Sequence, residues 1–147
     1  MADRIEFYRA GDEYGEFSNF SRHPIDLGGQ RWPTTEHYFQ AMKFADATLR
    51  ERIRTASGPG EAARMGRRFP GLRSDWEAAK EDVMMDALRA KFAQHHRCQR
   101  MLLNTGDAEL IEHTRNDFYW ADGGDGTGRN RLGVLLMQLR AELRAAE

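Results

Sequence analysis

Residues 34–47 restrict the fold of this chain more than any other segment. A helical pattern starts at Thr34 or Thr35, either of which is a good N-cap, and runs to about Ala47. At about 100° per residue its polar side chains fall within a wedge of about 60°, and apolar or aromatic side chains cover most of the remaining circumference. The wedge consists of Glu36, Gln40 and Lys43. This pattern predicts a buried helix with its polar stripe facing an internal cleft.

The composition of that stripe indicates chemistry as well as burial. Glu and Lys are rare inside proteins unless they are paired or functional. The chain has 22 basic residues, of which only Lys43, Lys80 and Lys91 are lysines, so a lysine is retained where arginine is the usual cation. An amine has a tunable pKa and is a nucleophile, which a guanidinium is not. Two alternatives stay open here: a solvent-exposed stripe on a half-buried helix, and a chance distribution of lysines.

The rest of the chain alternates short strand-like runs with helical segments. Strands are predicted at Ile5–Tyr8, Pro24–Leu27, Gln30–Trp32, Leu110–His113 and Phe118–Trp120. Further helices are predicted at Leu49–Thr55, Pro59–Arg68, from an N-cap at Ser74 to Phe92, at His95–Leu103 and along the stripe from Leu132 to Leu143. We therefore predict a helix-rich α+β fold in one domain spanning residues 1–147.

Composition excludes several functions. The net charge of -1 argues against a protein that coats nucleic acid, although a local basic pocket is compatible with it. Cys98 is the only cysteine, and neither a signal peptide nor a membrane-spanning run is visible, so we expect a cytoplasmic protein without membrane contacts. The five histidines do not have zinc-binding spacing, and we expect neither a metal nor a cofactor.

Two further regions have residue types that suit a ligand site. Trp76 and Lys80 are four residues apart at the start of a predicted helix and share one face, where the tryptophan is either core or a stacking platform for a planar base. The loop at 116–131 combines polar, aromatic and glycine residues before a helix. Its backbone N–H groups and arginines suit a phosphate, although no standard nucleotide motif is present. The loop residues that we predict to contact a ligand are Asp117, Trp120, Asp122, Arg129 and Arg131.

Several of these segments together resemble the NADAR (YbiA-like) family. The similar runs are Phe7–Tyr8, Tyr14–Phe20, Trp32–Phe44, Ala62–Gly66, Arg73–Trp76, Asn116–Gly123 and Asn130–Gly133. They occur in family order and extend over nearly the whole chain, which makes the set more specific than any one motif. Ala121 stands where close relatives are expected to have glycine.

This resemblance implies an N-glycosidase. Its substrates would be phosphoribosylated aminopyrimidine intermediates of riboflavin biosynthesis, and its products ribose 5-phosphate and a free aminopyrimidine. Other family members remove ADP-ribose from guanine bases, so an ADP-ribosylated nucleic acid base is the alternative substrate. A non-catalytic ADP-ribose or nucleotide sensor is a further alternative. The absence of a basic excess favours the small metabolite.

The implied chemistry assigns roles to the candidate residues. Glu36 would handle protons at the anomeric carbon, and Lys43 would either stabilise charge or attack the opened sugar aldehyde. Asp117 would be the third catalytic residue and, with Asn19, would hold ribose hydroxyls. Gln40 and Asp122 would also bind the substrate. Trp76 and Trp120 would enclose the base. The phosphate would be bound by Lys80, Arg129 or Arg131.

Overall fold

The computed structural model describes residues 3–147, which contain six α-helices and four short strands. The strands are β1 (Arg4–Phe7), β2 (Ile25–Leu27), β3 (Gln30–Trp32) and β4 (Glu109–Glu112). The helices are α1 (Thr35–Ala41), α2 (Ala47–Arg54), α3 (Pro59–Arg68), α4 (Trp76–Gln94), α5 (His96–Asn104) and α6 (Arg131–Ala145). This helix-rich α+β composition confirms the predicted fold class. The backbone forms two compact units, residues 19–94 and residues 3–18 with 95–147, and the prediction of one domain stays a prediction.

In the unit formed by residues 19–94, α1 is surrounded by its neighbours. It packs against α2, α3 and α4, while β2 and β3 pair as an antiparallel hairpin beside α4 and α1. Gly28 and Gly29 both have positive φ (65° and 80°), as a two-residue hairpin turn requires. The core is built from Ile25, Trp32, Ala41, Phe44, Ile53, Ala62 and Ala87. Helix α1 is therefore buried, as its sequence predicts.

Helix α1 ends at Ala41, so the predicted extension to Ala47 is wrong. The backbone N–H groups of Lys43 and Phe44 bond three residues back, to Gln40 O and Ala41 O, which closes the helix with a tighter turn. The chain then pairs with a distant segment, because Phe44 forms a bridge with Leu72 and the Lys43 carbonyl accepts a hydrogen bond from Arg73 N at 2.8 Å. Lys43 consequently lies just beyond the helix.

The unit formed by residues 3–18 and 95–147 is organised around a parallel pair of strands. β1 and β4 align with Ile5 opposite Leu110, and α6 packs against β4. Gly133 makes that packing possible, since a side chain there would collide with the Leu110 carbonyl oxygen. The buried leucines of α6 follow the predicted stripe: Leu132, Leu135, Leu136 and Leu139.

Two local predictions in the sequence differ from the structure. Residues 118–120 form no strand, because their carbonyl groups accept hydrogen bonds from the backbone around the start of α6. Helix α4 begins at Trp76 and not directly after Ser74, since the Asp75 carbonyl accepts the N–H groups of Ala78 and Ala79. Among residues 3–147, no helix combines the length and the apolar character needed to cross a bilayer.

Candidate active site

Hydrogen bonds at the first turn of α1 fix the backbone of Glu36. Thr34 caps the helix, its Oγ1 accepting from His37 N at 3.2 Å. The Asn19 carbonyl accepts from Glu36 N at 3.2 Å, and Asn19 Oδ1 accepts from Thr35 Oγ1 at 2.7 Å. The buried Asn19 amide thus supports the position of Glu36, and its Nδ2 donates to Met84 Sδ at 3.4 Å.

Gln40 fixes the Glu36 side chain one turn further along α1. Its Nε2 donates to Glu36 Oε2 at 2.7 Å, a pair with i, i+4 spacing. Gln40 is buried, and its Oε1 has no hydrogen-bond donor among the described residues. A Cβ atom at Gly66 of α3 would collide with that Oε1, so the glycine provides the space in which the Gln40 amide lies. The contact with α3 therefore fixes the Gln40 amide, and the Gln40 amide in turn orients the Glu36 carboxylate.

Lys43 completes the polar stripe although α1 has already ended. Burial lowers the pKa of the half-buried Lys43 amine, Glu36 acts to raise it, and Arg67 acts to lower it further. The net direction is downward, which means that burial outweighs the attraction of the carboxylate. The sequence alone does not decide whether burial or Glu36 has the larger effect on Lys43. The lowered pKa increases the fraction of Lys43 that is a free amine at a given pH.

Trp76 and Lys80 lie at the start of α4 in the same unit as the stripe. Trp76 is 5% exposed and packs against Phe39 of α1, with ring centroids 5.0 Å apart and planes tilted by 60°. Most of its indole surface is therefore in the core. Lys80 pairs with Glu77 at 2.7 Å, and its side chain is 14% exposed. Stacking of a base on Trp76 and phosphate binding by Lys80 stay predictions.

In the other unit, Asp117 organises the loop at 116–131. Its Oδ1 accepts from the backbone N–H groups of Tyr119 at 2.8 Å and Trp120 at 2.7 Å. Within residues 3–147, no hydrogen bond reaches its Oδ2. Asp117 consequently has one oxygen engaged in shaping the loop and one available to a ligand.

Asp122 is more completely engaged than Asp117. Its Oδ1 accepts from Thr114 N at 3.2 Å and Gly124 N at 2.8 Å, and its Oδ2 accepts from His113 Nδ1 at 2.7 Å. Burial favours the neutral carboxyl, but the His113 and backbone hydrogen bonds outweigh it and lower the pKa of Asp122. In turn, Asp122 raises the pKa of His113, with a smaller contribution from Glu6.

His113, Asp122 and Glu6 are also the one group of potential metal ligands found within residues 3–147. Their nearest ligating atoms lie within 4.8 Å of one another. The His113 nitrogen that faces the two carboxylates already donates to Asp122. An ion would have to displace that hydrogen bond, so this arrangement suits an imidazolium between carboxylates. The histidine spacing did not reveal the cluster because its members are far apart in the chain.

At the start of α6, hydrogen bonds within the protein engage several of the backbone N–H groups that the sequence offers to a phosphate, and the phosphate site stays a prediction. Carbonyl groups of residues 118–121 already accept the N–H groups of residues 129–132, including Arg131 N to Tyr119 O at 3.0 Å. These four N–H groups are therefore not available to an anion, and the arginine side chains remain as predicted phosphate contacts. The Arg129 guanidinium lies over the Tyr119 ring at 4.9 Å, and that ring packs edge-on against Trp120.

Sequence inspection missed His37 and Gly66. His37 is fully buried, with Nδ1 2.8 Å from Thr34 Oγ1 and Nε2 3.2 Å from the Ala56 carbonyl oxygen, and burial lowers its pKa. It ties the start of α1 to the segment after α2. Helical periodicity gives a role to neither residue, since both act through contacts between distant segments.

Comparison with known proteins places these residues in a family. Residues 6–144 match the model of the NADAR domain. The chain is 58% identical to the protein named N-glycosidase YbiA of Escherichia coli strain K12, over 95% of this chain and 88% of that protein. It is 43% identical to the chloroplastic riboflavin biosynthesis protein PYRR of Zea mays, over 95% of this chain and 25% of that protein. The NMR structure of E. coli YbiA matches with a TM-score of 0.91 and 55% identity, covering 99% of this chain and 88% of that one.

Proposed function

The chain belongs to the NADAR domain family and is an N-glycosidase, and we propose that it hydrolyses phosphoribosylated aminopyrimidine intermediates of riboflavin biosynthesis. The bond broken joins the anomeric carbon of ribose 5-phosphate to the amine of the pyrimidine. The name of the maize relative, a riboflavin biosynthesis protein, supports this substrate class.

The observation that carries the proposal is the arrangement of Glu36, Gln40 and Lys43. Gln40 Nε2 donates a hydrogen bond to Glu36 Oε2 at 2.7 Å. The negative charge of Glu36 also interacts with the Lys43 amine and acts to raise its pKa. Cleavage of an N-glycosidic bond develops positive charge at the anomeric carbon, which a fixed carboxylate stabilises. The same carboxylate can exchange protons with the sugar or with the leaving amine.

The lowered pKa of Lys43 gives the free amine a role in this reaction. When the furanose opens, the anomeric carbon and the pyrimidine nitrogen form an imine. Lys43 Nζ adds to that carbon and the aminopyrimidine leaves as a neutral amine, with Glu36 moving the protons. Water then hydrolyses the lysine imine and returns Lys43 with the aldehyde form of ribose 5-phosphate. An amine nucleophile needs its free form, which burial of Lys43 favours.

The remaining candidates have supporting roles in the proposal. Trp76, in the same unit as Glu36, borders the base. In the other unit, Asp117 Oδ2 and Trp120 stay predicted contacts for a ribose hydroxyl and a base. Lys80 provides positive charge for the phosphate, while Asn19 and Gln40 keep Glu36 in place. Arg129 and Arg131 of the other unit stay predicted phosphate contacts. Asp122 acts by holding the loop that carries Asp117 and Trp120.

Turnover on two substrates tests the reaction and its specificity. The purified protein is incubated with the phosphoribosylated aminopyrimidine and, in parallel, with ADP-ribosylated guanine in DNA, and released ribose 5-phosphate or ADP-ribose is quantified. We expect faster turnover of the pyrimidine, judged by kcat/KM. Preference for the guanine adduct would replace the proposed substrate, and tight binding of both without turnover would identify a sensor.

Lys43→Arg tests the covalent route, because a guanidinium preserves the charge but forms no imine with the opened sugar. We expect the variant to lose nearly all activity. Borohydride added during turnover should trap a sugar on the wild-type peptide that contains Lys43, and reactions without substrate serve as the control. Substantial activity in Lys43→Arg, with no adduct on the wild type, would leave Lys43 as an electrostatic contact.

A further inference from the structure

Tyr14 has a backbone conformation that a bulky residue rarely adopts. Its φ of 62° and ψ of 19° lie in the left-handed region, which residues with a Cβ avoid. The surrounding turn enforces this conformation: Gly15 N donates to Asp12 O at 2.9 Å, and a side chain at Gly15 would collide with Ala10. Such strain persists where the structure over-determines it, often at ligand sites.

The strained turn presents the Tyr14 ring to a cavity in the unit formed by residues 3–18 and 95–147. The ring stacks on Phe17 with centroids 5.8 Å apart and planes 23° from parallel. The cavity has a volume of about 300 Å³, and its other lining residues are Arg97, Arg100, Met101, Asn104 and Thr105. Arg97, Arg100, Met101 and Asn104 have i, i+3, i+4 and i+7 spacing, so they form one face of α5.

The charge of this cavity is positive and weakly compensated. None of the residues that line it is acidic. Arg97 approaches Glu16 only at 3.9 Å, and its side chain is 80% exposed. Arg100 and the Asn104 amide have no ion pair or hydrogen bond from their side chains to other described residues. Two guanidinium groups one helical turn apart suit the oxygens of a phosphate.

We propose that this cavity is a binding site for a nucleoside monophosphate. The planar base lies against the Tyr14 ring beside Met101, and the phosphate lies between Arg97 and Arg100. The Asn104 amide, which donates and accepts, is placed to bond a ring edge or a ribose hydroxyl. A bare anion would leave the aromatic wall unused, which is why the proposed ligand has a planar ring. None of these residues belongs to the set proposed for catalysis, so the proposal does not depend on the glycosidase reaction.

Titration of the intact protein with AMP tests the site, using calorimetry and the amide resonances of α5 and residues 12–17. We expect AMP to shift these resonances, and Arg97→Gln/Arg100→Gln to weaken this binding by about tenfold or more, since charge-assisted hydrogen bonds are lost. Arg64→Gln/Arg68→Gln removes the same charge from α3 and should leave it unchanged. Tyr14→Asn keeps a residue that tolerates positive φ but removes the ring. This substitution should weaken the binding of AMP and leave the binding of inorganic phosphate unchanged.

Three results would overturn the proposal. One is AMP binding that shifts no resonance of α5 or of residues 12–17. Another is equal loss of affinity in the Arg97/Arg100 and Arg64/Arg68 double variants, which would indicate attraction by net charge alone. The third is unchanged AMP affinity in Tyr14→Asn, which would leave an anion site without a base platform. Thermal unfolding of each variant verifies that it is folded, and the glycosidase assay is not used as the readout.

Discussion

Helix α1 and the loop at 116–131 both present carboxylates, but the partners of those carboxylates differ. Glu36 is held by the side chain of Gln40. Asp122 is held by two backbone N–H groups and by His113, and Asp117 uses one oxygen for two backbone N–H groups. A carboxylate bound to backbone amides fixes the path of the chain, whereas one oriented by a side chain keeps freedom to exchange protons. Glu36 is therefore the acid proposed to act on the substrate, whereas Asp122 fixes its own loop.

The two regions also differ in the groups beside their carboxylates. Burial lowers the pKa of Lys43 next to Glu36, which favours a neutral amine. Asp122 raises the pKa of His113, which favours an imidazolium. The first pair suits a reaction that needs a nucleophile, and the second suits an ion pair between an imidazolium and a carboxylate. Substitutions in α1 should therefore reduce the rate, and substitutions around Asp122 should reduce stability.

Among the substitutions that compare α1 with the loop, Glu36→Gln has the largest expected effect on the rate. The amide retains the shape of the carboxylate but cannot move protons, and we expect kcat to fall by about 10² to 10⁴. Initial rates of ribose 5-phosphate release measure the effect. Asp122→Asn is the matched change in the loop, and it should retain a much larger share of the rate per folded molecule. Near-normal turnover in Glu36→Gln would remove the distinction between the two regions.

Gly66→Ala tests whether the position of Gln40 matters for the reaction. It changes none of the residues proposed to act on the substrate. The added methyl collides with Gln40 Oε1, which displaces the amide that orients Glu36. Misplacement of a catalytic group by about 1 Å can reduce the rate by about 10². Kinetic analysis should show a fall in kcat greater than the change in KM.

Gly60→Ala is the control for Gly66→Ala, because it is in the same helix and a Cβ there meets nothing within 4 Å. Both substitutions raise helix propensity by up to about 1 kcal/mol. Only Gly66→Ala should lose activity. Equal activity in the two variants would show that Gln40 does not hold Glu36 in a position that matters.

Asp122→Ala should mainly reduce the free energy of unfolding. It leaves the backbone N–H groups of Thr114 and Gly124 without their acceptor in two part-buried hydrogen bonds, and each lost hydrogen bond costs about 0.5 to 1.5 kcal/mol. Chemical denaturation measures the loss. Asp125→Ala is the control in the same loop, because Asp125 is exposed. Within residues 3–147, the only other residue that donates hydrogen bonds to its side chain is Thr127. A similar loss in both variants would contradict the structural role of Asp122.

The parts of this fold that follow from the sequence are those fixed by local signals. The Gly28–Gly29 turn and Pro59 at the start of α3 determine their elements through backbone conformation, and both elements have the predicted bounds or nearly so. The end of α1 could not be predicted, because Phe44 leaves the helix to pair with Leu72, which is 28 residues away (72 minus 44). Residues 118–120 have strand-like composition but lie in an irregular loop. Their carbonyl groups accept hydrogen bonds from backbone N–H groups around the start of α6 and not from a neighbouring strand.

The same distinction applies to the candidate site. Periodicity identified Glu36, Gln40 and Lys43 as one stripe, and the Glu36–Gln40 bond follows from i, i+4 spacing. The space beneath Gln40 at Gly66 and the His113–Asp122 pair depend on contacts between elements, which no local pattern encodes. The direction of the Lys43 pKa also required the fold, because burial and the charge of Glu36 act in opposite directions.

The smallest predicted effect is a pH dependence of stability that arises from His113. Because Asp122 and Glu6 raise the pKa of His113 in the folded protein, the imidazolium stabilises the fold fully below pH 6.5, its ordinary value. This stabilisation is lost as the pH rises through the raised pKa. The His113 side chain is 44% exposed, so solvent screens the pair and the contribution should be below about 1 kcal/mol. The difference in unfolding free energy between wild type and His113→Gln should accordingly shrink from pH 6 to pH 9. An NMR titration should place the His113 pKa above 6.5 in the wild type and lower in Asp122→Asn. A wild-type value at or below 6.5 would mean that Asp122 holds its loop through the backbone N–H groups alone.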